Sequence, residues 1–321
     1  MARFLVTGGA GFIGSNLVAA LARAGERVVA LDDLSTGRWS LVDRLLRPGD
    51  AEVERHTASI VDGAAVARAM RGVEVVFHEA AQASVEQSLV DPLGCEEVNV
   101  RGLLTVLEAA RDAGVRRVVF TSSCAVYGDE PSSPKTEQSP ARPLSPYAVT
   151  KLAGELHLAA WARLHGREAL SFRNFNTFGP NQLPDGPYAA AIPRFVWAWL
   201  GGEPARVHGD GRQSRDFVHV DDVVRANLAA ASSTRALLGE VVNLASGRET
   251  TVLDVLASLR ALGLDGGVEH TAPRRGDIRR SCASLELASS LLGYSPRVAW
   301  SEGLSSTVDF LRDARAGRVA G

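Results

Sequence analysis

Short apolar runs alternate with longer amphipathic stretches through the first half of the chain. The runs are rich in valine and phenylalanine, as in buried strands, and comprise residues 4–7, 28–31, 73–78 and 118–122. Apolar side chains recur at helical spacing over the intervening or following residues 13–24, 66–70, 99–113 and 146–164. Strands separated by helices indicate βαβ units, which close into a parallel sheet with helices on both faces. The pattern therefore predicts an α/β fold built on a doubly wound parallel sheet.

Turn-forming residues become more frequent after residue 178. A Gly-Pro pair stands at 179–180, and further glycine breakers stand at 201–202, 209–211 and 263–267. We therefore predict two domains, a larger one over residues 1–177 that contains the doubly wound sheet and a smaller mixed α/β lobe over residues 178–321. The apolar run at 241–244 reads as a strand, so we expect the segment 217–245 to return to the first domain.

Composition and charge exclude several classes of protein. The 321 residues carry 35 Lys+Arg against 37 Asp+Glu, which argues against a broad nucleic-acid surface. Three scattered cysteines predict neither a disulfide framework nor a metal site, and they favour a reducing, cytoplasmic location. The most apolar helical stretch, near 189–200, is too short to span a membrane, and the N-terminal apolar run is too short for a secretory signal. We expect neither nucleic-acid nor membrane partners.

A glycine-rich segment, VTGGAGFIG at 6–14, follows the first predicted strand and opens the first predicted helix. Glycines allow a tight turn and a close approach of a pyrophosphate, and a helix N-terminus offers free N–H groups to it. A purely structural glycine turn is the alternative. The residues expected to hold a dinucleotide here are Gly8, Gly11, Phe12, Ile13 and Gly14.

Asp32 and Asp33 end the second predicted strand, 18 residues after Gly14. A carboxylate at this point accepts hydrogen bonds from ribose hydroxyls and repels a 2′-phosphate. The sequence therefore favours NAD over NADP as cofactor.

A tyrosine and a lysine lie four residues apart at the start of the fourth predicted helix, so Tyr147 and Lys151 share one helical face. A free phenol has a pKa of ~10, which is too high for a base at neutral pH. A neighbouring ammonium and a positive nicotinamide ring would lower that pKa. The strand at 118–122 brings the hydroxyls of Thr121 and Ser123 to the same sheet edge. Ser123, Tyr147 and Lys151 together predict a hydride-transfer site.

These motifs resemble those of the extended short-chain dehydrogenases/reductases, and specifically the NAD-dependent nucleotide-sugar epimerases. The resemblance spans about 270 residues and rests on VTGGAGFIGSNL at 6–17, HEAAQASVEQSLVDP at 78–92, TSSCAVYG at 121–128, SPYAVTK at 145–151, RNFNTFGP at 173–180, GDGRQSRDFVHVDD at 209–222 and APRRGD at 272–277. It implies a Rossmann domain that holds NAD and a smaller lobe that holds a UDP-sugar. It also implies a homodimer formed through the helices at 99–113 and 147–164.

The resemblance implies further ligand contacts, residue by residue. For the cofactor these are Ser35, Thr36, Gly37, Ser59, Ile60, Ala80, Ala81, Asn99 and Thr121. For the UDP-sugar they are Ser84, Ser123, Cys124, Tyr147, Asn176, Arg194, Val207, Arg215, Arg274 and Asp277. Ser59 departs from the family pattern, because relatives usually have an aspartate there that contacts adenine. Glu79 also departs from it, and we assign it no role from the sequence.

The residues before Val126 discriminate between the family's reactions. Similar 4,6-dehydratases carry an Asp-Glu pair and similar decarboxylases a Glu where this chain has Cys124 and Ala125, neither of which is a carboxylate that transfers protons. Asp32 disfavours the NADPH that related reductases use. Epimerisation at C4 remains, with Tyr147 as the base, Ser123 as a proton relay and Lys151 holding the cofactor ribose and lowering the Tyr147 pKa.

The sugar remains open at this point. Residues 187–195 resemble a branch that handles C6 carboxylates or C2 acetamido groups, and Arg194 could pair with a hexuronate. We therefore rank UDP-glucuronate first, UDP-glucose/UDP-galactose second and UDP-N-acetylglucosamine third. A non-catalytic NAD-binding regulator is the alternative from another class.

Overall fold

The computed structural model describes residues 2–184, 190–273 and 278–317. Its first layer is a seven-stranded sheet in which every neighbouring pair is parallel, with the order β3-β2-β1-β4-β5-β6-β10. The strands are β1 (Arg3–Thr7), β2 (Arg27–Asp32), β3 (Val53–Thr57), β4 (Val75–His78), β5 (Arg117–Ser123), β6 (Glu168–Asn174) and β10 (Leu238–Leu244). The predicted fold class is confirmed.

Helices cover both faces of this sheet. On one face pack α1 (Phe12–Arg23), α2 (Trp39–Asp43), α9 (Val220–Ser232) and α11 (Glu286–Leu292). On the other pack α3 (Gly63–Ala69), α6 (Gly102–Asp112) and α7 (Pro146–His165), and α4 (Val85–Val90) and α5 (Pro92–Glu96) lie against α7. Because both faces of the sheet are covered, most side chains of the central strands β4, β5 and β6 are buried.

The second lobe has its own apolar core beyond the carboxyl ends of the central strands. It contains β7 (Asn176–Phe178), α8 (Ala191–Leu200), β8 (Ala205–His208), β9 (Ser214–His219), β11 (Glu249–Thr251), α10 (Val252–Ala261), β12 (Val268–Thr271) and α12 (Trp300–Arg315). β7 and β9 pair in parallel and β9 and β11 pair antiparallel. Ligands of doubly wound folds bind at this edge of the sheet, so the second lobe lies where it can cover one.

The chain crosses between the two layers more than once. β10 pairs in parallel with β6, and α9 packs on the first layer, so residues 220–244 lie with the first sheet. Ala288 of α11 and the following Tyr294 also join that core, a return that the sequence did not predict. The division into domains at residues 177 and 178 stays a prediction.

The central strand β6 was not among the predicted elements, and two further local features differ from them. The helix expected at 99–113 begins instead as a π-helical turn, Glu97–Arg101, which continues into α6. The turn accompanies an inward-facing Asn99, whose amide bonds to a neighbouring loop and to α7. β3 was not predicted because its side chains are mostly polar, as an edge strand permits.

Candidate functional site

The glycine loop makes a close crossing between β1 and α1. Gly8 has φ +68°, and a Cβ there would lie 2.7 Å from the backbone nitrogen of Ala80. A Cβ on Gly14 would overlap the carbonyl oxygen of Gly8. Gly11 is the N-cap residue of α1 and has no side chain that could bond the first N–H groups of the helix. The N–H groups of Phe12 and Ile13 therefore face the loop. This arrangement suits an anionic group at the helix N-terminus.

Asp32 joins two loops at the end of β2. Its carboxylate accepts hydrogen bonds from the backbone N–H groups of Ala10 at 3.0 Å and Leu34 at 2.8 Å. Gly37 packs so closely that a Cβ would lie 2.8 Å from Asp32 Oδ1. Burial raises the Asp32 pKa above its usual value, and the two backbone bonds oppose that rise. Beyond it, Asp33, Ser35 and Thr36 are exposed.

Asn99 fixes the loop after β4 by hydrogen bonds to the backbone of that loop. Asn99 accepts from the backbone N–H of Gln82 at 2.8 Å and donates to the Gln82 carbonyl at 3.1 Å and to Thr150 Oγ1 at 3.0 Å. It therefore positions the loop that carries Ala80 and Ala81. A direct contact between Asn99 and the cofactor stays a prediction, as do contacts from the partly buried Ser59 and the buried Ile60 after β3.

The predicted catalytic residues lie together where β5 ends and α7 begins. α7 starts after its N-cap Ser145, whose hydroxyl accepts from the Ala148 N–H at 3.2 Å, and this turn buries Tyr147 and Lys151. The Ser123 hydroxyl accepts from the Ala125 N–H at 3.1 Å, and its side chain lies near enough to the Tyr147 phenol to act on its pKa. Lys151 Nζ donates to the Thr121 carbonyl at 2.7 Å and lies 5.8 Å from the centre of the Tyr147 ring. The structure thus joins Ser123, Tyr147 and Lys151 in one cluster.

The electrostatics of this cluster differ from the predicted direction. Burial raises the Tyr147 pKa to about 12, although the neighbouring Ser123 side chain lowers it in part. The predicted lowering relied on two cations, Lys151 and a nicotinamide ring, and the protein itself supplies one. Burial also lowers the Lys151 pKa to about 8. Desolvation therefore outweighs attraction within the protein alone.

Several predicted substrate contacts border this cluster. Cys124 begins a 3₁₀ turn, Cys124–Tyr127, and burial raises its thiol pKa to about 11, so it is a neutral group and not a nucleophile. The positive charge of the Arg215 guanidinium opposes part of that rise in the thiol pKa. The guanidinium donates to the carbonyl oxygens of Ser214 and Ile278, both at 2.7 Å. Asn176 of β7 has a buried Oδ1 that accepts no hydrogen bond from the described residues.

Other predicted substrate contacts are less directly placed. Ser84 is the N-cap of α4 and accepts from the Gln87 N–H at 3.0 Å. Arg194 lies in the first turn of α8 and is partly buried. Arg274 and Asp277 lie outside the described residues.

Val207 disagrees with its predicted contact. Its side chain is 1% exposed and packs in the core of the second lobe, so the structure does not offer it to a ligand. The prediction followed the family position, and β-strand alternation turned this side chain inward.

Two polar residues outside the predicted set of ligand contacts lie beside the site, Gln82 and Asn174, and the resemblance already implied a place beside the nicotinamide for Asn174. Both side-chain amide atoms of Gln82 and of Asn174 are buried and lack a hydrogen-bond partner in the described part of the chain. Asn174 is in register with Ser123 on the neighbouring strand. The signal was available, because Gln82 and Asn174 stand inside the quoted motifs at 78–92 and 173–180.

Comparison with known proteins agrees with this site. The model of the NAD dependent epimerase/dehydratase family matches residues 4–245, three quarters of the chain. The chain belongs to this family. The family prediction and the NAD cofactor are thereby confirmed, and the chain is an enzyme of an NAD-dependent class.

Curated members of the family match over nearly the full length. A UDP-glucose 4-epimerase of Mycolicibacterium smegmatis is 41% identical over 97% of this chain and 99% of its own. A dTDP-glucose 4,6-dehydratase of Streptomyces niveus is 35% identical over 98% of this chain and 94% of its own. Members with different reactions are therefore similar in overall sequence.

Solved structures of family members share the whole fold. UDP-glucose 4-epimerase of Thermotoga maritima with UDP-glucose has TM-score 0.91 and 36% identity, covering 98% of this chain and 99% of its own. UDP-N-acetylglucosamine 4-epimerase of Methanobrevibacter ruminantium M1 has TM-score 0.91 and 33% identity, with the same coverage. UDP-glucuronic acid 4-epimerase of Bacillus cereus, with UDP-glucuronic acid and NAD, has TM-score 0.89 and 29% identity, covering 97% and 99%.

The residues of this epimerase-family site fit the NAD that the family name specifies. At Gly8 and Gly14 the backbone approaches other backbone atoms so closely that a Cβ would collide with them. No side chain caps the N-terminus of α1. The unpaired amides of Gln82 and Asn174 offer donors and acceptors to a polar ligand.

Residues 2–184, 190–273 and 278–317 contain neither a membrane-spanning helix nor a cluster of metal ligands. No helix there combines the length and apolarity needed to cross a bilayer. In the same residues, no three His, Cys, Asp or Glu side chains group closely enough to hold a metal ion.

Proposed function

We propose that this protein inverts the configuration at C4 of a UDP-linked hexose through a transient 4-keto sugar. The observation that carries the proposal is the cluster formed by Ser123, Tyr147 and Lys151. The two residues that follow Ser123 in the sequence are Cys124 and Ala125. A thiol with a raised pKa and a methyl group cannot supply the additional acid and base of a dehydration. This distinguishes the site from those of the dehydratases with similar sequences.

The chemistry that bound NAD supplies is the reversible acceptance of a hydride. Tyr147 takes the O4 proton, and Ser123, which lies beside Tyr147, relays that proton and holds O4. The Lys151 ammonium, held by the Thr121 carbonyl, favours the tyrosinate by Coulomb attraction. The same tyrosine returns the proton after the keto sugar has turned its other face, so no net oxidation occurs.

Three UDP-hexoses are proposed as alternative substrates. UDP-glucuronate rests on Arg194, whose guanidinium could pair with a C6 carboxylate. UDP-glucose is favoured by the 41% identity to a protein with that named activity. UDP-N-acetylglucosamine ranks third.

The test offers purified protein each of the three UDP-sugars separately, and dTDP-glucose as a control for dehydration. We expect anomeric proton signals of the C4 epimer from at least one UDP-sugar and no 4-keto-6-deoxy product. Deuterium at C4 of the substrate should remain in the product, because the hydride returns to the same carbon. Loss of that deuterium to water would refute the mechanism. NAD bound without any turnover would favour the non-catalytic regulator.

We propose a homodimer that buries the apolar residues exposed on α4, α5 and α7. Leu93 of α5 is 81% exposed, and Leu156 and Leu164 of α7 are 66% and 79% exposed. α4 and α5 pack beside α7, so these side chains border one surface. The proposed location is the cytoplasm, which agrees with three free cysteines.

A further inference from the structure

Glu79 is linked to the catalytic lysine through one residue of β5. Glu79 directly follows β4, and its Oε1 accepts a hydrogen bond from Thr121 Oγ1 at 2.8 Å. The carbonyl of the same Thr121 accepts from Lys151 Nζ at 2.7 Å. Thr121 and Ser123 point to the same face of β5, because side chains two residues apart on a strand share a face. Thr121 therefore bridges the Glu79 carboxylate and the Lys151 ammonium near the end of β5, the strand that carries Ser123.

The other titratable groups that face Lys151 carry no uncompensated negative charge. Burial lowers the pKa of His78 to about 3 and raises the pKa of the Cys95 thiol, so both are neutral at pH 7. The Tyr147 phenol is neutral in the protein alone, since its pKa is raised to about 12.

Glu155 also faces Lys151, but its charge is already balanced. It accepts two hydrogen bonds from the Arg173 guanidinium, at 2.9 and 2.7 Å, in a buried ion pair. Among the described groups that act on Lys151, Glu79 is thus the carboxylate without an arginine of its own.

We propose that Glu79 is a positioning residue for the epimerisation, the counter-ion that keeps Lys151 protonated beside Tyr147. The inference rests on the proposed function for its catalytic consequence. In a site from which water is excluded, the pKa of an ammonium group is lower when no anion lies nearby. The lysine stabilises the tyrosinate only while it carries its charge, so the carboxylate sets the alkaline limit of activity.

The directions of the pKa shifts agree with this role. Burial lowers the Lys151 pKa to about 8, and Glu79 is the largest influence that raises it. Burial raises the Glu79 pKa to about 7, opposed by the Thr121 hydrogen bond and by Lys151. Below pH 7 the carboxyl is therefore mostly neutral, and replacing it with an amide should matter little there. Above pH 7 the charge is present and its removal should matter.

The chain allows a direct measurement, because Lys135 and Lys151 are its two lysines. NMR of the NAD-loaded protein with [ε-¹³C]lysine reports both side chains, and Lys135→Arg assigns them. Glu79→Gln keeps an acceptor for Thr121 and removes the charge. We expect the Lys151 titration to move to lower pH by about one unit, as for loss of one charge at moderate distance in a protein interior. Lys135, paired with Glu130 at 2.7 Å, should not move and is the internal control.

Activity provides the second readout, with UDP-glucose, UDP-glucuronate and UDP-N-acetylglucosamine each tried on the wild type. In Glu79→Gln the alkaline limb of kcat/KM should move by the same shift, giving roughly a fivefold loss near pH 8, approaching tenfold at higher pH, and little loss near pH 6. Glu79→Asp, which retains the charge, should restore both readouts toward wild type.

An unchanged Lys151 titration in Glu79→Gln overturns the inference, as does a loss of activity that is equal at all pH values. A wild type that epimerises none of these UDP-sugars refutes the proposed function instead, and the lysine titration still tests the counter-ion.

Discussion

Tyr147 is the residue on which the proposed chemistry depends most. Its phenol lies near Ser123, and its ring is buried in the turn that opens α7. Tyr147→Phe should keep the packing and lower turnover by roughly 10²–10⁴-fold, the range for loss of a general acid–base group. NAD should stay bound, which the absorbance of cofactor released on denaturation checks.

Tyr127→Phe is the matched control for this substitution. The Tyr127 hydroxyl donates to Asn243 Oδ1 at 2.6 Å inside the protein, away from Ser123. It should lower the free energy of unfolding by about 1 kcal/mol and leave turnover near wild type. Wild-type turnover in Tyr147→Phe would remove the proposed base.

The role of a residue was predictable where a motif specifies its backbone conformation or its charge. Gly8, Asp32 and the cluster at Ser123, Tyr147 and Lys151 follow from spacing, because strand ends and helix starts in this fold have fixed relations. Side-chain direction and local dielectric were not predictable. Val207 turned inward, and the Tyr147 pKa rose, since both depend on how the surrounding protein packs.

At the scale of elements, a buried ion pair locks α7 to β5 and β6. Glu155 of α7 accepts from Arg173 of β6 and from Ser122 of β5, next to the catalytic serine. Glu155→Gln would leave the 6%-exposed Arg173 with its charge unbalanced. We expect a loss of about 3–5 kcal/mol in the free energy of unfolding, as for breaking a buried pair. Urea unfolding of the NAD-loaded protein measures it.

Glu97→Gln is the surface control, because it breaks the exposed pair of Glu97 with Arg101 in the π-helical turn. Exposed pairs of this kind contribute less than about 1 kcal/mol. Equal losses in the two variants would contradict the locking role of Glu155.

The elements themselves were predictable to different degrees. Central strands and long helices have clear periodicity, so β1, β4, β5 and α7 lie close to their predicted positions. The π-helical turn at Asn99 was not predictable, because its i,i+5 hydrogen bonds leave no distinct apolar pattern. The polar edge strand β3 was missed for the same lack of pattern.

At the scale of the whole molecule, the site depends on both layers. Ser123 and Tyr147 belong to the first, whereas Arg215 approaches Cys124 from β9 in the second lobe. The returns of β10 and α11 to the first layer tie the two together at several points. A sequence pattern identifies such layers one segment at a time, so the additional return of α11 emerged from the structure alone.

The surface of α4, α5 and α7 argues for association of two such molecules. Val149 and Leu156 lie seven residues apart and therefore on one side of α7, where both are exposed. Leu156→Glu should place a carboxylate in the proposed interface, where it would have to lose its hydration, and so convert a dimer to monomers. Sedimentation equilibrium should give twice the 34.0 kDa chain mass for the wild type and a single chain mass for the variant. Leu253→Glu, at an exposed position of α10 in the second lobe, should remain dimeric. A monomeric wild type would refute the proposed dimer. A Leu156→Glu variant that stays dimeric at micromolar concentration would place the interface elsewhere.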